Sequence, residues 1–154
     1  MTRLKILFLC TGNSCRSQMA EGFANHLKSD LVEACSAGIE THGLNPHAVA
    51  VMAEAGVDIS THRSQHLDEF KDMDLDAVIT VCSHAHETCP WFPGRAKVIH
   101  VGFDDPPKLA ETAETPEDKL NCYRRVRDEI KAWVMTLPQA LSKVNPQPSG
   151  KKKG

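Results

Sequence analysis

Ile6-Leu7-Phe8-Leu9-Cys10 is an almost unbroken apolar run that begins after Lys5 and stops at Thr11-Gly12-Asn13-Ser14. A strand without polar alternation is buried on both faces, as in a parallel sheet, so the run predicts a strand over Lys5–Cys10. The period then changes: Met19, Phe23 and Leu27 are spaced four apart, which predicts a helix from about Cys15 to Lys28. Leu31–Ser36 reads as a second strand, followed by a loop from Gly38 to Pro46. His47–Ala55 suits a helix that Gly56 terminates. Ala77–Val81 is a β-branched strand, Lys97–Val101 a weaker fourth. Glu117 to about Leu137 is helical, with Leu120, Val126, Ile130, Trp133 and Leu137 near one stripe.

Strands alternating with helices predict an α/β fold: a single domain with a central four-stranded parallel sheet flanked by helices and right-handed crossovers. Residues 1–143 are expected to form the domain, and 144–154 a disordered tail of Pro, Ser, Gly and Lys. Ligands of such sheets bind at the carboxyl ends of strands. Cys10, Cys82 and Asp104-Asp105 all follow strand ends, so the pattern brings them to one rim.

Composition narrows the function. With 154 residues, 41% hydrophobic and 25% charged, the chain resembles an ordinary globular domain long enough for one core. Eighteen Lys and Arg against 20 Asp and Glu leave a net charge of −2, which argues against a nucleic-acid binder working by counterion release. The apolar runs are far too short to span a membrane, and no signal-peptide core follows Arg3 and Lys5. A cytoplasmic monomer is expected. Six cysteines (10, 15, 35, 82, 89 and 122) are many for a reducing compartment, where clustered thiols are catalytic, redox-active or metal-binding.

Cys10-Thr11-Gly12-Asn13-Ser14-Cys15-Arg16-Ser17 places a C-x5-R-S loop between strand and helix. Backbone N–H groups of such a loop, with a helix N-terminus behind them, form an anion cradle from Thr11, Gly12, Asn13, Ser14, Cys15 and Arg16. Gly12 is expected to supply a positive φ, and Asn13 tolerates one. Arg16 offers a planar fork for two oxygens of a tetrahedral oxyanion. Cys10 on the cradle floor is favoured as a thiolate nucleophile, and Ser17 can donate to its sulfur or cap the first turn.

The loop resembles that of the low-molecular-weight protein tyrosine phosphatase-like family, and Cys10–Gly22 is similar to its thioredoxin-coupled arsenate reductase branch. Ser36–Pro46, Asp58-Ile59-Ser60, Thr80-Val81-Cys82, Gly102–Pro106 and Arg125–Ile130 extend the similarity in order over about residues 4 to 135. The resemblance implies a three-cysteine relay. Cys10 attacks arsenate held by the loop and Arg16, with Asp105 as acid. Cys82 then attacks Cys10, releasing arsenite. Cys89 attacks Cys82, and thioredoxin reduces the resulting Cys82–Cys89 disulfide. A carboxyl at Asp105 needs its proton when the oxyanion arrives, and repulsion from Asp104 would help it keep one.

If Cys82–Cys89 were helical, its two thiols would share a face but lie about 10 Å apart along the axis, beyond the roughly 7 Å between Cα atoms that a disulfide tolerates. Oxidation is therefore expected to unwind or loop out this segment. His84 and His86 beside these thiols could ligate a metal, but the spacing matches no common zinc pattern. Cys35 and Cys122 read as packing residues. His42 and His62 fall in segments similar to the family, which places either near the site with no role assigned.

Two further readings stand beside the reductase: a phosphatase using only Cys10, Arg16 and Asp105, and a non-catalytic thiol redox sensor. Against the first, Pro107 follows Asp105-Pro106 where the tyrosine phosphatases usually carry an aromatic residue. The resemblance also implies potassium as a candidate cation at Asn13, Glu21 and Ser36. Gln65, however, stands where some members supply an aspartate to it. Val101 replaces a tryptophan common in the branch.

Overall fold

The computed structural model describes residues 3–82 and 96–143. Four strands, β1 (Leu4–Cys10), β2 (Val32–Gly38), β3 (Ala77–Thr80) and β4 (Lys97–His100), form one sheet in the order β2-β1-β3-β4, with every pair parallel. The helices are α1 (Arg16–Leu27), α2 (Pro46–Glu54), α3 (Pro106–Ala110), α4 (Pro116–Val134) and α5 (Gln139–Lys143), with a 3₁₀ turn at Leu67–Phe70. This is the single-domain architecture expected from the alternating pattern. Its long elements fall within a few residues of the predicted bounds. The proposed tail at 144–154 and the Cys82–Cys89 loop beyond Cys82 lie outside the described residues.

The apolar run explains why β1 is central. Ile6, Leu7, Phe8 and Leu9 are fully buried, and their alternation feeds two cores. Ile6 and Phe8 pack with Met19 and Phe23 of α1 and with Val126 and Ile130 of α4. Leu7 and Leu9 pack on the other face with Ala37, Phe70, Leu75 and Val78. Helices α2 and α4 are joined by Arg124 and Arg127, which both reach the Glu54 carboxylate. Among the described residues no helix is long and apolar enough to cross a membrane.

Three short elements escaped the sequence pattern, and each has a local cause. The 3₁₀ turn is closed by a reciprocal cap in which the Asp68 N–H donates to His66 and the His66 N–H donates to Glu69. Consecutive prolines at 106 and 107 start α3, their missing N–H groups costing nothing in a first turn. Both elements are too short for a hydrophobic period to register, as is α5.

Candidate active site

Strand β1 ends at Cys10 and α1 starts at Arg16, so residues 11–15 turn the chain at the carboxyl edge of the sheet. Asn13 takes the left-handed conformation, with φ 49°, and among the described residues it is the non-glycine that does so. Gly12 does not adopt the positive φ expected of it. The His42 ring closes over it instead: a Cβ there would lie 2.4 Å from His42 Nδ1 and would push that exposed side chain aside. The first turn of α1 holds no acidic residue, and Cys15 at its N-cap makes no side-chain capping bond. The N-terminal N–H groups and the positive end of the helix dipole are thereby left for an anion.

Cys10, Arg16 and Asp105 line one cavity of about 490 Å³ together with Thr11, Gly12, Ser14 and Cys15. Cys10 Sγ lies 2.8 Å from Ser17 Oγ, so Ser17 bonds to the sulfur and does not cap the helix. Arg16 is 5% exposed; one terminal nitrogen donates to the Phe103 carbonyl at 3.0 Å and the other lies 3.5 Å from the Asp105 carboxylate. Asp105 is the N-cap of α3, yet its side chain makes no capping bond. The Asp104 carboxylate turns to Arg125, at 2.6 Å, a partner that the sequence reading did not supply.

The remaining thiols differ in character. Burial pushes the Cys15 thiol far above the ordinary range, with the Cys10 and Asp105 charges adding to it, which disfavours Cys15 as a nucleophile. Burial likewise pushes Cys35 up to about 12. Cys10, Cys15, Cys35 and Cys122 are free thiols, whereas Cys82 is disulfide-bonded. Leu9 pairs with Thr80 in the β1–β3 register, which brings Cys10 level with Val81 and puts Cys82 one residue beyond. Cys82 is fully buried there. Cys89 lies outside the described residues, and with it the Cys82–Cys89 pairing.

Behind the cradle, Asn13, Ser17, Gln18 and Ser36 are fully buried. These residues do not fit a cation as they are arranged. Asn13 Oδ1 already accepts from the Gln65 backbone N–H at 2.7 Å and from Gln18 Nε2 at 3.0 Å. The Ser36 carbonyl accepts from Gln65 Nε2 at 3.2 Å. One Glu21 oxygen accepts from the Ser36 hydroxyl at 2.6 Å, and the other faces His62 at 3.7 Å. Gln65 thus directs N–H groups to the place where a cation needs oxygens.

Burial raises the Glu21 carboxyl above its ordinary value of 4.5, while the Ser36 bond and His62 pull the other way. A raised acid favours the protonated folded state, so this contribution to stability is present below 4.5 and is lost as pH rises through the folded value. Glu21→Gln removes that titration. Its melting temperature relative to the parent is expected to climb between about pH 4 and about pH 7; a difference that stays flat over this window contradicts the assignment.

Sequence reasoning put His42 near the site without a role and left Ile39 and Glu40 of the cavity wall unnoticed. Ile39, Glu40, His42 and Pro107 complete the wall, and no Phe, Tyr or Trp is among the described lining residues. Segment 39–45 is zipped to the cradle by backbone bonds from Glu40 N to Thr11 O, His42 N to Gly12 O and Asn45 N to Ser14 O. Gln18 was also missed, because a glutamine in a helix carries no chemical signal until its partners are known.

A family model described as low molecular weight phosphotyrosine protein phosphatase matches residues 5–147. A relative named arsenate reductase, from Halalkalibacterium halodurans, is 46% identical over 139 residues, spanning 90% of this chain and 98% of its own. Another of that name, from Bacillus subtilis, is 50% identical over 125 residues, covering 81% and 88% of the two chains. A solved structure described as an arsenate reductase in the phosphate binding state is similar with a TM-score of 0.72 at 32% identity, over 92% of this chain and 99% of that one. With its thiol, arginine and cradle in place at the end of β1, the chain belongs to the low molecular weight phosphotyrosine protein phosphatase family.

Proposed function

We propose that this chain is a cytoplasmic, monomeric arsenate reductase whose reducing electrons come from thioredoxin. The observation that carries the reading is Cys10 beside Arg16 and Asp105 at the turn into α1, bonded to Ser17, with Cys82 two residues past the end of the neighbouring strand β3. Relatives named arsenate reductase support it. So do the described cavity walls, which carry no Phe, Tyr or Trp to pack an aryl ring, whereas an inorganic oxyanion needs none.

The Cys10 thiolate attacks arsenic, and an oxygen leaves as water with a proton from Asp105, giving a thiol–arsenate adduct. The Cys82 thiolate attacks Cys10 Sγ. The S–As bonding pair passes to arsenic, which leaves as arsenite, and a Cys10–Cys82 disulfide remains. Cys89 attacks Cys82, freeing the Cys10 thiolate and forming Cys82–Cys89. The thioredoxin dithiol, with a potential near −270 mV, returns this bond to two thiols.

Arsenate added to the fully reduced protein without reductant is expected to consume two thiols per chain, which mass spectrometry locates as Cys82–Cys89, with arsenite released. Six free thiols and intact phosphoester hydrolysis would instead establish the second reading, a phosphatase, which the family description favours. A redox sensor would stop after one equivalent even with thioredoxin present.

A further inference from the structure

Behind the cradle, hydrogen-bond polarity can be followed from backbone groups, whose roles are fixed. The Gln65 backbone N–H can only donate, and it lies 2.7 Å from Asn13 Oδ1, so that atom is the amide oxygen. Asn13 Nδ2 is thereby turned to Ser17 Oγ, at 2.8 Å. Ser17 Oγ accepts there, and its own proton is left for the Cys10 sulfur. The Asn13 and Arg63 carbonyls can only accept, and both lie within hydrogen-bond distance of Gln18 Nε2, at 3.2 and 3.0 Å. That leaves Gln18 Oε1 to accept from Nδ1–H of His62, at 2.9 Å.

We propose that Gln18 and Gln65 are positioning residues, an amide clamp that locks the Asn13 side chain so that the Ser17 hydroxyl points its proton at Cys10, and that this clamp occupies the place where a cation would otherwise orient the same oxygens. Both glutamines hold Asn13 Oδ1, and Gln65 also ties down the Ser36 carbonyl. Gln18 bonds Asn13 to the Arg63 and His62 segment, so the loop and its support move as one body. A hydroxyl donating to sulfur favours thiolate over thiol, so loss of the clamp reduces the thiolate fraction of Cys10 without touching the cavity. Arg16, Cys15 and Asp105, which share the cavity with Cys10, are unchanged in the variants that test this. The inference rests on Cys10 being the nucleophile.

The test is the alkylation rate of Cys10 by iodoacetamide in the reduced full-length chain, followed peptide by peptide by mass spectrometry as a function of pH. It uses no arsenate, so a failure of the reductase reading leaves it interpretable. Ser17→Ala, Gln18→Ala and the isosteric Gln18→Glu, which keeps the size but loses the donor, are each expected to move the midpoint of the profile up by about one pH unit. Below the midpoint that shift appears as roughly tenfold slower alkylation. A merely structural role for Gln18 would lower the melting temperature and leave the midpoint in place, and that outcome overturns the proposal. So does an unmoved midpoint in Ser17→Ala. A second measurement needs no variant: exchanging potassium for tetramethylammonium chloride at equal ionic strength is expected to change neither the parent's profile nor its melting temperature. A potassium-specific change in either shows a cation in the clamp's place.

Discussion

Cys10→Ser is expected to abolish arsenate turnover, lowering kcat/KM by at least about 10⁴-fold, because the nucleophile of a concerted constellation is lost outright. The effect is chemical on two counts. A serine hydroxyl stays protonated at neutral pH, and the Ser17 proton and helix dipole that favour a thiolate cannot ionise it. An oxygen adduct of arsenate also gives Cys82 no sulfur to attack, so no disulfide forms and arsenic keeps its oxidation state. The replacement conserves volume within one atom at a nearly buried site, so the variant should fold. Thioredoxin-coupled consumption of NADPH and a thiol count after arsenate addition check both counts. Residual arsenite release above a few per cent of the parent rate would assign the attack to another thiol.

Arg16→Lys is expected to cost about 10²–10³-fold in kcat/KM for arsenate, the loss usual when one preorganised oxyanion donor is removed. The guanidinium is held at 5% exposure by the Phe103 carbonyl and Asp105, which fixes its plane beside the cradle before substrate arrives. A lysine ammonium keeps the charge but is a single point on a flexible stem. It cannot bond the Phe103 carbonyl, face Asp105 and present two N–H groups to an oxyanion together. Affinity for phosphate, measured as competitive inhibition, is expected to weaken in parallel, since phosphate and arsenate share shape and charge and the proposed cradle would hold either. Unchanged inhibition by phosphate with normal turnover would remove Arg16 from the site.

Much of this site was legible locally. Cys10, Asn13, Arg16 and Ser17 lie in one strand–loop–helix stretch, and the spacing alone carries the thiol to the helix N-terminus. Asp105 was legible for a related reason, since it too follows a strand of a parallel sheet. Where local reading failed, the deciding partner was remote. Gly12 was read for a positive φ that it does not adopt, and the ring over it belongs to His42, 30 residues on. Asp104 was read only against its neighbour Asp105, and its ion pair with Arg125, 21 residues on, was not foreseen.

The sequence by itself therefore determined the α/β order, the buried first strand and the strand–loop–helix that holds Cys10, Asn13, Arg16 and Ser17, because each depends on periodicity or on residues close together in the chain. Only the tertiary structure decided what surrounds them. Phe103, which anchors Arg16, is 87 residues away, and Gln65, which fixes the Asn13 amide, is 52 residues away. Hydrogen bonds of this range are set by how strands and helices pack, and a glutamine or a carbonyl carries no mark in the sequence of the partner it will meet.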